Sequence, residues 1–431
     1  MNSIWKRNPL ERFAALSGGA KTDVLIIGGG MAGILCAYFL KQAGADYMLI
    51  ESGSICNKTT ANTTAKITSQ HGLVYHKVAS KSGFEAAEMY LKTNEDARLK
   101  FREMCKKIDC DFSETDSYAY TLDSPSKIEK ELKVLQAIGF DAKFAMPDLP
   151  LKTAGAVLFK NQAQFNPLKF IAGIVRGLNI FENTKALEFL PDGVITDKGR
   201  ITANRIIVAT HFPILNKHGL YFGKMYQHRS YVLALKNAPC VNGIYVDDNK
   251  KGLSFRNHNG LLLLGGGGHK TGKQGGNWRE LETFAKEKYP NAQVVARWAA
   301  QDCMTLDNIP YIGEYSKNTP NLYVSTGFNK WGMTSSMAAA TLLCDILTGK
   351  QNPYSEIFSP SRKMLALPLL TNGANAVFNL LIPTVPRCHH LGCALKYNKA
   401  EHSWDCPCHG SRFDEKGCLL DGPATDDRKK I

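Results

Sequence analysis

The chain has 431 residues, 44% hydrophobic and 21% charged, an ordinary globular composition too long for one simple core and pointing to two or three domains. Its net charge of +14 comes without a dense basic run interleaved with aromatics, which argues against nucleic acid as a partner. Residues 388–431 hold seven Lys/Arg and seven Asp/Glu, so the positive excess lies wholly in residues 1–387, where it serves solubility or steers acidic carriers.

Met1–Ala20 shows neither an apolar stretch nor a cleavage pattern, so no signal peptide and a cytoplasmic location are expected. The cysteines at 36, 56, 105, 110, 240, 303 and 344 lack framework spacing, which fits reduced thiols. Thr22–Ile27 then reads as a buried parallel strand, followed at once by Gly28-Gly29-Gly30-Met31-Ala32-Gly33. Ile34–Ala43 reads as a helix closed by Gly44, and Asp46–Ile50 as a second strand ending at Glu51, eighteen residues after Gly33. This is a complete strand–GxGxxG–helix–strand–acid unit. Gly28 suits the tight turn, Gly30 the approach of a pyrophosphate, Gly33 close helix–strand packing, and Glu51 a ribose hydroxyl pair. FAD and NAD share this fingerprint.

Thr59–Lys66 is a hydroxyl-rich loop suited to donating hydrogen bonds to a pyrophosphate or a flavin edge. Glu85–Ile108 is amphipathic, Ser126–Ile138 predicts a helix closed by Gly139, and Asn166-Pro167 is a helix start with Asn as cap. Arg205–His211 reads as a strand ending in Ala209-Thr210, and Ser230–Leu235 and Gly260–Leu264 as short strands. Gly265–Gly268 follows the last of these without a GxGxxG–helix context, so a flexible loop, lining a substrate pocket, is expected rather than a second dinucleotide site. Asp307–Gly313, Asn321–Met333 and a small-residue helix from Thr334 to Leu347 complete this part.

Together these motifs resemble the amino-acid-oxidase-like FAD family, to which glycine oxidase and sarcosine oxidase belong, over residues 20–350. The resemblance implies an α/β fold: a Rossmann-like FAD-binding domain with an interleaved α+β substrate domain. Residues 1–360 would form the oxidoreductase, with FAD-binding segments about 20–75, 165–215 and 310–350 and substrate segments about 76–164 and 216–305. It implies cofactor contacts at Gly28, Gly30, Met31, Ala32, Gly33, Glu51, Thr63, Thr64, Ala65, Ala186, Ala209, Thr210, Gly327, Gly332, Met333 and Thr334. His211, His269, Lys270, Lys330 and Trp331 lie in segments expected near the flavin and are the candidate catalytic groups, although lone His and Lys residues are more often structural. Cys303-Met304 precedes Asp307–Gly313 much as the flavin-linking cysteine does in sarcosine oxidases, at shorter spacing, so covalent attachment stands against a buried thiol.

Residues 361–387 read as a linker; their most apolar stretch, Met364–Val385, is broken by Pro and Gly and is a poor membrane span. Beyond it come Cys388-His389-His390-Leu391-Gly392-Cys393 and Cys406-Pro407-Cys408-His409-Gly410-Ser411, with fifteen residues between His390 and Cys406. A Cys-x-His and Cys-x-x-His pair suits a [2Fe–2S] centre with two sulfurs on one iron and two imidazoles on the other. Tetrahedral zinc is also satisfied by this set, though zinc motifs more often group like ligands. The full text of both loops resembles the Rieske family. That resemblance assigns Cys388 and Cys406 to one iron and His390 and His409 to the other, pairs Cys393 with Cys408 in a disulfide, and makes Gly422-Pro423-Ala424 the loop covering the cluster. Residues 388–431 would be a small, mostly β, truncated Rieske module resting on the FAD domain through Met364–Val385. Neutral imidazoles in place of two thiolates raise the potential to roughly −150 to +300 mV, against about −400 mV for all-cysteine clusters.

The two resemblances together imply oxidation of a small amine or amino acid at FAD, with single electrons passing between FAD and the cluster. An external carrier, ferredoxin-like or quinone-linked, would be the partner. A sensor or electron-transfer flavoprotein without turnover, and an oxygen-using amine oxidase with a structural cluster, are the alternatives.

Overall fold

The computed structural model describes residues 3–7, 9–215, 218–249, 252–273, 275, 277–363 and 386–427. The packed linker expected at Met364–Val385, and the docking role assigned to it, lie outside the described residues.

The apolar run at the front forms the strand Ala20–Ile27, paired in parallel with Tyr47–Ile50 on one side and Gly199–Val208 on the other. Val24 to Ile27 are all buried because a parallel strand is covered on both faces. Val24 and Ile26 enter a core with Ile34, Ala37 and Ala339, while Leu25 and Ile27 meet Met48, Val208 and Tyr311. The sheet runs Tyr311–Glu314, Leu322–Thr326, Gly199–Val208, Ala20–Ile27, Tyr47–Ile50, Ile180–Phe181, with a hairpin of Ala186–Leu190 and Gly193–Thr196 attached. Its parallel strands end at Ile27, Ile50, Val208 and Thr326, so Gly28, Glu51, Ala209 and Gly327 emerge along one edge. Ligand sites of open α/β sheets form at such carboxyl ends. The helices Met31–Gln42 and Gly332–Leu347 pack on each other over this sheet, their Ala and Gly side permitting close approach.

A nine-stranded sheet stands over that edge, with Met225–Lys236 between the antiparallel strands Gln293–Thr305 and Leu261–Lys270. Lys66–Ile67, the strand just after the hydroxyl-rich loop, closes its far end by pairing with Gly155–Gln164. The predicted helices form as Phe84–Cys105, Pro125–Ala137 and Pro167–Ile174; Asn166 Oδ1 caps the last, accepting from the N–H groups of Leu168 and Lys169 at 3.1 and 3.2 Å. One expectation is corrected. Gly265–Gly268 is not a flexible loop but the middle of the strand Leu261–Lys270, with Gly265 paired to Val232 and Gly266 to Tyr231. Glycine serves there because neighbouring chains crowd the strand: a Cβ on Gly265 would lie 2.6 Å from Ser254 Oγ and one on Gly266 2.7 Å from Leu253.

The C-terminal module is a four-stranded meander of Lys396–Asn398, Ser403–Asp405, Arg412–Asp414 and Leu419–Asp421. Its core is small: Cys388, Cys393, Leu395, Cys406, Cys408, Phe413 and Ala424, backed by Trp404 and Leu419.

Candidate functional site

The glycine loop is fixed by contact and leaves space in one place. A Cβ on Gly28 would lie 2.6 Å from the carbonyl oxygen of Ala209, and one on Gly33 only 1.9 Å from that of Gly28. A Cβ on Gly30 would meet only Thr60 Oγ1, at 3.6 Å, so the loop is open where a pyrophosphate would lie. The Thr60 hydroxyl accepts from Met31 N–H at 3.1 Å, which ties the hydroxyl-rich loop to the helix start. Glu51 accepts from Gly29 N–H at 2.8 Å and Gly53 N–H at 2.9 Å, so its carboxylate caps the same loop.

Two adjoining cavities open here. The first, about 180 Å³, is walled by Gly30, Met31, Ala32, Thr60, Ala209, Thr210, His211 and Ser336. The second, about 510 Å³, lies under the nine-stranded sheet, and Gly265, Gly266 and Gly268 line it. Thr63, Asp302, Asn329, Lys330, Gly332 and Met333 line both, so the two cavities adjoin along these residues. Among the described residues, His211 Nε2 and Ser325 Oγ are buried polar atoms with no hydrogen-bond partner, and both residues line the smaller cavity, as expected where a polar ligand completes the hydrogen bonding. FAD fits this site on the open glycine loop, the helix terminus and the two adjoining cavities.

Titratable groups gather along the larger cavity. Lys66 Nζ donates to Thr64 Oγ1 at 2.9 Å and lies 3.4 Å from Ser254 Oγ. Burial, reinforced by the charges of Arg256 and Lys330, pulls its pKa down to about 7. Burial pushes Asp302 up to about 6, against the pull of Lys330, Arg229 and Lys66. His71 stacks on Trp331 with ring centroids 4.9 Å apart and bonds to Tyr90 Oη and Thr334 Oγ1 at 2.7 and 3.0 Å; burial lowers it to about 3, so it is neutral.

The sequence-derived candidates separate in space. Lys330 and Trp331 line the larger cavity, and His211, in the left-handed region at φ 68°, lines the smaller. His269 lines neither; its ring nitrogens meet Tyr231 Oη at 3.0 Å and the Lys270 carbonyl at 3.1 Å. Lys270 sits over the Tyr226 ring, 5.6 Å from its centroid. Strand alternation turns Asp302 and Met304 to the cavity and Cys303 away from it, into a core with Met225, Tyr311 and Val324. Ala65 and Thr64 present carbonyls to Arg256 Nη1, both at 2.6 Å, and Thr334 bonds to the Thr68 carbonyl at 3.0 Å. Ala186 pairs with Thr196 in the hairpin and lines neither cavity. Gly327 turns at φ 72° between the last strand and its helix. Sequence reading did not single out Lys66, His71 and Asp302 as candidate site groups, yet all three line the larger cavity. Their signal is burial by distant segments, which a linear pattern does not carry.

The two Cys/His loops meet at the module's tip. His390 and His409 face each other through Nδ1 atoms 3.3 Å apart, and the thiols of Cys388 and Cys406 interact directly. Burial lowers His390 to about 4 and His409 to about 3, keeping both neutral as ligands must be. Hydrogen bonding from Cys406, and more weakly from Ser411, brings the Cys388 thiol down to about 6. Cys393 and Cys408 form a disulfide between the loops. Sulfur thus meets sulfur and nitrogen meets nitrogen, the grouping a two-iron cluster requires.

The imidazole edge of this tip faces the oxidoreductase. Phe212, next to His211, lies 6.5 Å from the His390 ring, and Phe222 lies 5.8 Å from His409. Asp421 and Gly422 of the module line the smaller cavity. Among the described residues no helix is long and apolar enough to cross a membrane.

Residues 23–346 match the family model described as FAD dependent oxidoreductase, and residues 381–431 the Rieske [2Fe-2S] domain. The chain is 34% identical, over its whole length and 97% of the other's, to a Bacillus subtilis protein described as a Rieske 2Fe-2S iron-sulfur protein, YhfW. It is 22% identical to gamma-glutamylputrescine oxidoreductase of Escherichia coli, across 85% of this chain and 94% of that one. The fold is similar to glycine oxidase from Geobacillus kaustophilus, with a TM-score of 0.67 and 18% identity over 80% of this chain and 100% of that one.

Proposed function

Because the chain belongs to the FAD dependent oxidoreductase family and carries a Rieske [2Fe-2S] domain toward its C-terminal end, we propose that it oxidises a small amine or amino acid, with single electrons exchanged between the FAD site and the cluster. FAD bound in the cavities supplies an acceptor of two electrons that can return them one at a time, as a one-electron cluster requires. The observation that supports this reading is the packing of His390 and His409 against Phe212 and Phe222, beside the cavity lined by Gly30, Thr210 and His211.

The chain's own groups suit an amine substrate. Lys330, with Lys66 in its protonated fraction, offers positive charge to a substrate carboxylate. Asp302, titrating near 6, can hold an ammonium group or accept its proton. Neutral His71 stacked on Trp331 gives the cavity a flat wall without adding charge. The names of gamma-glutamylputrescine oxidoreductase and glycine oxidase favour a carbon–nitrogen bond as the target. The partner this reading requires is an external one-electron carrier, ferredoxin-like or quinone-linked.

Anaerobic rapid mixing with a panel of amines and amino acids tests it. The yellow absorbance bleaches first and the cluster's paramagnetic signal follows. Bleaching that leaves the cluster oxidised, with stoichiometric peroxide once air is admitted, would replace this reading with an oxygen-using oxidase.

A further inference from the structure

The seam between the cluster module and the oxidoreductase is closed by backbone contact and buried charge. Gln301 Nε2, in the cavity wall, donates to the Gly410 carbonyl at 2.9 Å. A Cβ on Gly272 would lie 2.4 Å from Pro407 N, so the cluster loop lies directly on the turn after the strand Leu261–Lys270. Glu401 of the module accepts from Arg229 Nε at 3.0 Å and Tyr231 Oη at 3.1 Å on the oxidoreductase side, and from Arg412 Nη2 at 2.9 Å on its own side. Burial works against its charge, yet Arg229 and Arg412 hold it down to about 2. Arg412 continues the network to Asp421, 3.4 Å away. Asp421 and Gly422 complete the wall of the cavity that holds Gly30, Thr210 and His211, and Asp421 also lines the neighbouring cleft with Asn57 and Lys58.

We infer that the cluster module is a structural part of the FAD site: Asp421 and Gly422 form its closing wall, and the Arg229–Glu401–Arg412–Asp421 network holds that wall in place. FAD binding and module docking therefore stabilise each other. A ligand that contacts both sides of a seam favours the closed state, and by reciprocity the closed state favours the ligand. The inference rests on reading the cavity as the FAD site, but it does not depend on which substrate is oxidised or on the direction of electron flow.

Glu401 and Gly272 hold the seam without lining either cavity, so they can be altered while the FAD contacts stay intact. Glu401→Gln removes the carboxylate that Arg229 and Arg412 share most closely in a buried place, leaving Arg229 only Asp421 at 3.8 Å and Arg412 its pairs with Asp405 and Asp421. Gly272→Ala forces the turn and the cluster loop apart.

The test uses full-length protein with its cluster, stripped of flavin and titrated with FAD by fluorescence quenching. Hydrogen exchange over residues 386–427 is followed in parallel with and without FAD. FAD is expected to slow exchange in that segment of the wild-type protein. Both variants are expected to bind FAD at least about tenfold more weakly, about 1.4 kcal/mol. The wild-type arm decides alone if a variant fails to fold. Exchange over residues 386–427 that is unchanged by bound FAD overturns the inference. So does a variant whose module exchanges as an undocked segment while FAD binds with wild-type affinity. Failure of FAD to bind the wild-type protein at all would instead refute the reading of the cavity.

Discussion

Gln301 bonds at once to Thr271, whose hydroxyl donates to its Oε1 at 3.0 Å, and to Gly410, whose carbonyl accepts from its Nε2 at 2.9 Å. One side chain thus links the wall of the smaller cavity to the peptide next to His409, the proposed cluster ligand. Gln301→Leu keeps the volume and strands both partners, each costing about 1–3 kcal/mol when buried and unpaired. The denaturation midpoint should fall by a corresponding amount, and the cluster's spectrum should shift because Gly410 adjoins a ligand.

Of Gly28, Gly29, Gly30 and Gly33 in the loop, Gly30 is the one whose added carbon the protein itself would tolerate, with only Thr60 Oγ1 near, at 3.6 Å. Gly30→Val should therefore fold and keep its cluster while losing bound FAD, with affinity lower by more than about tenfold. Comparing flavin and iron content of the purified variant checks this. A Gly33→Val variant, whose Cβ would strike the Gly28 carbonyl, should instead fail to fold.

His409→Cys exchanges a neutral ligand for a thiolate. Its negative charge should move the cluster's potential down toward the roughly −400 mV of all-cysteine centres. A redox titration followed by electron paramagnetic resonance reads the change. Zinc in place of iron in the wild-type protein would remove the basis of the experiment.

Lys66 titrates near 7 in the folded chain against an ordinary 10.5, so the unfolded state binds more protons between those values. Stability should therefore rise as pH climbs from 7 toward 10, and Lys66→Met should flatten that rise. Each tenfold change in acidity is worth about 1.4 kcal/mol, so the effect is at most a few kcal/mol, and smaller where cavity water reaches the amine. Thermal melts of both proteins across that range measure it.

Cys303 faces the core, not the cavity, so FAD is expected to bind without a bond to its sulfur. Acid precipitation should leave the yellow colour in the supernatant, for wild type and Cys303→Ser alike. Colour retained in the pellet of the wild type alone would contradict this.

Much of the molecule could be read in advance where the signal is local. The strand–glycine–helix–strand unit is one stretch whose chemistry depends on near neighbours, and the same holds for the two cluster loops. Gly265–Gly268 misled because glycine marks turns as well as crowded strands, and only the chains on either side decide between them. Cys303 resembled an attachment site by order along the chain, but the alternation of the strand Gln293–Thr305 sets which way it faces. Lys66 and Asp302 acquire their altered acidities from burial by segments hundreds of residues apart, and that is a property of the fold alone.

The Arg229–Glu401–Arg412 network has a practical consequence. Arg229, Glu401 and Arg412 are at most 10% exposed at their side chains, beyond the reach of dissolved counter-ions. Ionic strength screens charges in water, not sealed ones. Added salt should leave the internal seam intact while weakening the pull of a surface with net charge +14 on an acidic carrier. A salt-sensitive turnover would locate the slow step outside the molecule, in the encounter.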